Sequence, residues 1–220
     1  MSESQQPEAM QEHYFTSSPT TPSRPATVRL DLPDLSCELE TDRGVFSPDR
    51  IDAGTKLLLQ EAPPPPPSSR HLLDLGCGYG PIAVALASRA PQATVWAVDT
   101  NERAIALCAR NAERIGLTSV QVRPAHNDNP VANIPTTVTF DAIYANPPIR
   151  VGKATLHSVL QHALLRLTPG GTAYLVVHKH LGSDSLQRWL GTAGFPTRRL
   201  ISRVGYRILA ISSGSRSVLD

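Results

Sequence analysis

Cysteine is scarce in this chain: Cys37, Cys77 and Cys108 are the only three among 220 residues. The count is odd and no pair has C-x-x-C spacing. That argues against a disulfide framework and a cysteine zinc site, and for a reducing compartment. No apolar run approaches the ~18 residues that a membrane span requires. The opening Met1-Ser2-Glu3-Ser4-Gln5-Gln6-Pro7 lacks the basic and apolar regions of a secretory leader. A cytoplasmic protein with no membrane partner is therefore expected. Neither sign of charge dominates: 21 Lys and Arg against 19 Asp and Glu leave a formal +2, which permits a nucleic-acid partner without requiring one. No internal repeat is visible. At this length, with 40% hydrophobic residues, the chain holds one sizeable core rather than two full domains.

What is present divides the chain unevenly. Residues 1–25 are rich in Ser, Thr and Pro and bury too little apolar surface to offset the entropy of ordering, so a mobile tail is predicted there. Residues 26–62 read as a small hairpin around Pro33-Asp34, followed by a helix to about Gln60 with Pro48 in its first turn. Five prolines at 63–67 and Ser68-Ser69 form a stiff linker. Residues 70–214 then alternate: strands at 71–75, 94–98, 120–123, 140–145 and 172–178, with helices at 81–89, 102–115, 155–167 and 185–191. This rhythm predicts an α/β fold, a doubly wound and mostly parallel sheet with helices on both faces. The stretches 198–202 and 206–211 flank a turn near Gly205 and predict an antiparallel pair at the end.

In such sheets ligands bind beyond the carboxyl ends of the strands. The turn Asp74-Leu75-Gly76-Cys77-Gly78-Tyr79-Gly80, Asp99, residues 126–129 and Asn146-Pro147-Pro148-Ile149 are therefore expected in one crevice. The glycines allow a sharp turn and close approach to a carboxylate or phosphate at a helix N-terminus. Asp99 ends the second strand of the alternating region, where an acidic side chain can accept both hydroxyls of a ribose. The glycine spacing differs from the dinucleotide fingerprint G-x-G-x-x-G, and Pro81 follows it at once. Asn146 and Pro147 offer two acceptors, a side-chain amide oxygen and a carbonyl, held by two consecutive prolines. Such a pair suits an NH2 group. His178-x-His180 has no third ligand at sensible spacing, so no metal is expected.

The segments DLGCGYGP and NPPIRVGK, with Gly44-Val45-Phe46-Ser47 and Leu167-Thr168-Pro169-Gly170-Gly171, resemble the class I S-adenosylmethionine-dependent methyltransferases. Over residues 40–211 the chain is similar to the small-domain family related to ribosomal RNA small subunit methyltransferase C, a guanine-N2 enzyme. The resemblance implies a Rossmann-like seven-stranded sheet whose last strand is antiparallel, occupying residues 70–214. It implies S-adenosylmethionine as cofactor, held by Asp74, Gly76, Cys77, Gly78, Asp99 and Asn146, with Asn127 or Asp128 meeting the adenine. It also implies catalysis by Asn146, Pro147 and Pro148 on an RNA partner, ribosomal RNA or the small ribosomal subunit.

Ile149 stands where many amino-group methyltransferases carry an aromatic, so Phe46 is the candidate lid over the substrate base, with core packing its other possible role. Arg150 and Lys153 follow the turn as candidate substrate contacts, and Lys179, Arg198, Arg199, Arg203 and Arg207 could meet phosphates. The alternatives are a protein glutamine-amide methyltransferase, a nonenzymatic RNA- or cofactor-binding module, and an NAD-linked oxidoreductase.

Overall fold

The computed structural model describes residues 21–148, 151–180 and 182–214. Strands β1 (Ala26–Leu32) and β2 (Leu35–Thr41) pair as the expected antiparallel hairpin. The elements that follow are α1 (Ala53–Glu61), β3 (His71–Leu75), α2 (Pro81–Arg89), β4 (Thr94–Asp99), α3 (Glu102–Ile115) and β5 (Val120–Pro124). Then come β6 (Phe140–Ala145), α4 (Lys153–Leu164), β7 (Leu167–His178), α5 (Ser183–Thr192), β8 (Thr197–Arg203) and β9 (Tyr206–Ser212). The main sheet has seven strands in the order β5-β4-β3-β6-β7-β9-β8. The first five run parallel, while β9 is antiparallel to both its neighbours. This is the doubly wound, Rossmann-like arrangement.

Side-chain alternation along the strands builds two cores. Leu72, Val95, Ala97, Ala142, Tyr144 and Val176 face α1, α2 and α3. Leu73, Trp96, Val98, Ile143, Leu175 and Val177 face α4 and α5. Period-two burial on both faces is what a central parallel sheet requires. The hairpin adds Leu30 and Leu39 to the first core. Asn111 of α3, fully buried, moors it: its amide donates to the carbonyls of Glu40 (2.9 Å) and Tyr79 (2.8 Å) and accepts from the Glu40 N–H (2.7 Å).

Three expectations are corrected. The helix read from Pro48 begins at Ala53, because the Asp52 carboxylate caps it by accepting the Thr55 N–H at 3.0 Å, and the chain just before it bends through Ser47 at a φ of 49°. Strand β7 begins at Leu167 rather than 172. Pairing of Leu167 with Phe140 carries the strand through the Pro-Gly-Gly that reads as a turn, at the cost of an irregularity in register. Helix α4 starts two residues early and ends at Leu164. Of the segment read as a tail, residues 21–25 are described; Ser23 donates to Asp42 (2.6 Å) and Arg103 to the Thr21 carbonyl (2.9 Å). The proline run passes over β6, where the buried Tyr144 hydroxyl donates to the Pro63 carbonyl at 2.7 Å.

Candidate active site

Beyond the carboxyl ends of β3, β4, β6 and β7 lies a cavity of about 690 Å³. Its first wall is the glycine turn after β3. The N–H groups of Gly76 and Cys77 both donate to the Val98 carbonyl at 2.9 Å, and Gly78 N–H donates to Asp99 Oδ2 at 2.8 Å. These bonds draw the turn against the end of β4. Gly76 and Gly78 have φ values of +80° and +55°, and a Cβ built at either meets nothing within 4 Å. Both residues line the cavity, so the missing side chains leave a cradle that a ligand could fill. Gly80 is glycine for another reason: its Cβ would stand 2.9 Å from Cys108 Sγ.

Asp74 sits beneath this turn at 0% exposure and does not line the cavity. Its Oδ2 accepts the Ala83 N–H at 2.8 Å, while Oδ1 has no partner among the described residues. Burial pushes its carboxyl well up, and the Asp99 charge adds to this. Asp99 lines the cavity; burial pushes its carboxyl up too, opposed by N–H donors from Asn101, Gly78 and Thr100. Cys77 also lines the wall. Hydrogen bonding with Cys108 and burial push its thiol up, which suits a small apolar surface and not a nucleophile.

The facing wall is Asn146, Pro147 and Pro148 at the end of β6. The Asn146 amide nitrogen donates to Asp52 Oδ2 at 2.8 Å and to Thr55 Oγ1 at 3.0 Å. An ionised carboxylate only accepts, so the nitrogen must face it and Oδ1 must face the other way. The amide oxygen is thereby left for a donor. Pro148 C=O accepts the Val151 N–H at 3.2 Å.

The remaining candidates fall on both sides of this boundary. Asn127 lines the cavity together with Ala125 and His126, whereas Asp128 does not, its carboxylate accepting the Asn129 N–H at 3.0 Å. Phe46 stands at the cavity with 53% of its surface exposed, so it is not a core residue. Lys153 opens α4, exposed and outside the cavity lining. Ile149 and Arg150 lie outside the described residues. Of the cations considered for phosphate, Arg207 is a correction: it is buried, donating to Ser183 Oγ at 2.8 Å and to Asp184. Arg199 pairs with Asp184 at 2.9 Å and Arg203 with Glu61 at 2.8 Å.

Sequence reasoning did not anticipate Asp52, Thr55 or Tyr206 in the cavity wall, nor that His178 and His180 would line it. The two imidazole centroids are 5.6 Å apart, with Tyr206 edge-on to His178 at 5.1 Å. Among the described residues no group of three or more His, Cys, Asp or Glu could hold a metal, and no helix is long and apolar enough to cross a membrane. The spacing Asp52-x-x-Thr55 is a capping signal that could have found the first two.

Residues 36–210 match the methyltransferase small domain family. The chain is 35% identical over 176 residues to the protein YbxB of Bacillus subtilis (strain 168), covering 80% of this chain and 86% of that one. It is 35% identical over 175 residues to ribosomal RNA small subunit methyltransferase C of Hahella chejuensis, covering 78% of this chain and 48% of that protein. It thus spans about half the length of that relative. Among solved structures it is similar to the Thermus thermophilus 16S rRNA N2 G1207 methyltransferase (RsmC) in complex with AdoMet and guanosine. The TM-score is 0.70 at 25% identity, covering 89% of this chain and 52% of that one.

Proposed function

Because this chain belongs to the methyltransferase small domain family, we propose that it moves a methyl group from S-adenosylmethionine to the exocyclic N2 of guanine in ribosomal RNA. The observation that carries the reading is the Asn146 amide: its nitrogen donates to Asp52 and its oxygen has no partner among the described residues, in the cavity whose wall includes the glycine turn. The guanosine in the similar Thermus thermophilus structure supports the choice of base.

S-adenosylmethionine supplies an electrophilic sulfonium methyl. In this chain Gly76, Cys77 and Gly78 would hold its methionine end and the Asp99 carboxylate would take the ribose hydroxyls. Asn127, which lines the cavity, would meet the adenine. The open space at Gly76 and Gly78, both in the cavity wall, supports that seat. Asn146 Oδ1 and the Pro147 carbonyl accept the two N–H groups of the substrate amine. An arylamine lone pair is delocalised into its ring, and gripping both N–H groups favours a pyramidal nitrogen with its lone pair aimed at the donor. Alignment of this kind can contribute up to ~7–11 kcal/mol. No general base is needed for transfer, since the methylated nitrogen becomes acidic and releases its proton to solvent. Phe46 stacks on the base, which must leave its own stack to enter; Lys153 is the candidate contact to the strand that carries it.

The test is incubation of the purified protein with tritiated cofactor and separated ribosomal RNA and protein fractions. Label recovered as N2-methylguanosine is expected. Label on glutamine, or none in either fraction, would overturn the proposal.

A further inference from the structure

We infer that Asp52 is a positioning residue: its carboxylate selects the one rotamer of the Asn146 amide that accepts an amine, an inference that rests on the amine-gripping role proposed for Asn146. A primary amide is nearly symmetric in shape and opposite in hydrogen-bonding sense at its two ends. Flipped by 180°, Asn146 would present NH2 to an incoming NH2, donor against donor. The turn that carries it cannot decide between the two states, because both fill the same space.

Two groups from the first turn of α1 touch the amide nitrogen, Asp52 Oδ2 at 2.8 Å and Thr55 Oγ1 at 3.0 Å. The hydroxyl of Thr55 can donate or accept, so it serves either rotamer. A carboxylate serves only one. Asp52 therefore makes the choice, and Thr55 supplies the second acceptor once it is made. The carboxylate is itself fixed, since the same Oδ2 accepts the Thr55 N–H at 3.0 Å as the helix cap. The helix start is fixed in turn. A Cβ at Gly54 would meet Tyr206 Cε1 at 2.8 Å, so β9 and α1 touch directly beside Asp52. The Tyr79 hydroxyl, from within the glycine turn, donates to the carbonyls of Ser47 (3.4 Å) and Arg50 (3.3 Å) just ahead of it. The acceptor for the substrate is thus registered against the seat of the methyl donor by way of Asp52, 94 residues from Asn146 in sequence.

Two full-length variants test this. In Asp52→Ser the hydroxyl still caps α1 but stops short of Asn146, whereas in Asp52→Asn the Thr55 N–H cap holds the amide oxygen at the place of Oδ2, where it still accepts from Asn146. With an unmodified 16S ribosomal RNA transcript, D52S is expected to lose kcat by about 10- to 100-fold. Its Kd for S-adenosylmethionine should stay within about threefold and its Tm within a few degrees. D52N should recover kcat to within about threefold. A helix-capping role alone would leave D52S at wild-type kcat, and that result would overturn the inference; so would a loss of cofactor affinity matching the loss of kcat. The Asn146 side-chain amide protons, followed by NMR hydrogen exchange, give a readout that needs no substrate: protected in the wild type and exchanging freely in D52S. Free exchange in the wild type would overturn positioning. Protected protons in a protein that methylates no RNA would leave positioning standing and overturn the proposed function.

Discussion

Alanine at Gly78 and alanine at Gly80 should fail in different ways, and the difference isolates the cofactor seat. Both glycines have positive φ, +55° and +98°. At Gly78 the conformation lies in the left-handed well, where an L-residue costs ~1–2 kcal/mol. The stiffer unfolded chain returns ~0.4–1 kcal/mol of that. No atom lies within 4 Å of the new methyl, so no packing cost is added. G78A should fold with a loss of about 1 kcal/mol. At Gly80 the backbone is left-handed too, and the methyl meets Cys108 Sγ at 2.9 Å and its Cα at 3.3 Å. Overpacking adds ~1–3 kcal/mol to the strain and the same unfolded-chain term is returned, for a net loss of about 1–5 kcal/mol. Only the Gly78 methyl enters the cradle facing the cavity, so G78A should bind S-adenosylmethionine at least about tenfold more weakly, ~1.4 kcal/mol. Denaturant melts and calorimetric titration measure the two quantities. A G78A protein with wild-type affinity, or a G80A protein with wild-type stability, would refute the assignment.

Asn146→Ala should abolish turnover while leaving cofactor affinity within about tenfold, because the lost oxygen addresses the substrate; rapid-quench transfer assays measure this. Asp99→Ala should weaken cofactor binding by roughly 1.5–3 kcal/mol in calorimetry, the worth of charge-assisted hydrogen bonds. Since burial pushes the Asp99 carboxyl up in the free protein and ribose hydroxyls favour its ionised form, cofactor affinity should rise with pH above the ordinary carboxylate range and level off once Asp99 is ionised. A flat titration over that interval, or the same rise in Asp99→Asn, would contradict this. Arg166→Met should cost about 1–3 kcal/mol in urea melts, because the guanidinium donates to the carbonyls of Val131 (3.0 Å), Ile134 (3.2 Å) and Val138 (Nε, 3.0 Å), as well as to Pro135, and the shorter apolar chain leaves them without that donor.

Much of the fold is legible in the sequence wherever local signals agree with long-range pairing. Helix α2 starts at Pro81 and α3 ends before Gly116 at a φ of +80°, as Pro at N1 and a left-handed glycine cap dictate. The reading fails where two signals compete. Ser-Pro-Asp at 47–49 looks like a helix start, yet Asp52 provides the cap. Pro169-Gly170-Gly171 looks like a stop, yet pairing with β6 carries β7 through it. In the site, the glycine turn, Asp99 and the Asn-Pro-Pro turn announce themselves because each is contiguous chemistry at a strand end. The link between Asp52 and Asn146 does not, since it joins a helix cap to a strand end across space and leaves no periodicity. The same holds for Tyr206 and His178, brought to the cavity by the antiparallel register of β9 on β7.

The most direct measurement is a crystal structure of the protein with S-adenosylhomocysteine and guanosine. The cofactor sulfur is expected at the Gly76–Gly78 turn, with the guanine N2 within hydrogen-bond distance of both Asn146 Oδ1 and the Pro147 carbonyl. Guanosine bound with its N2 turned away from those two oxygens, or Asn146 presenting its nitrogen to the base, would contradict it.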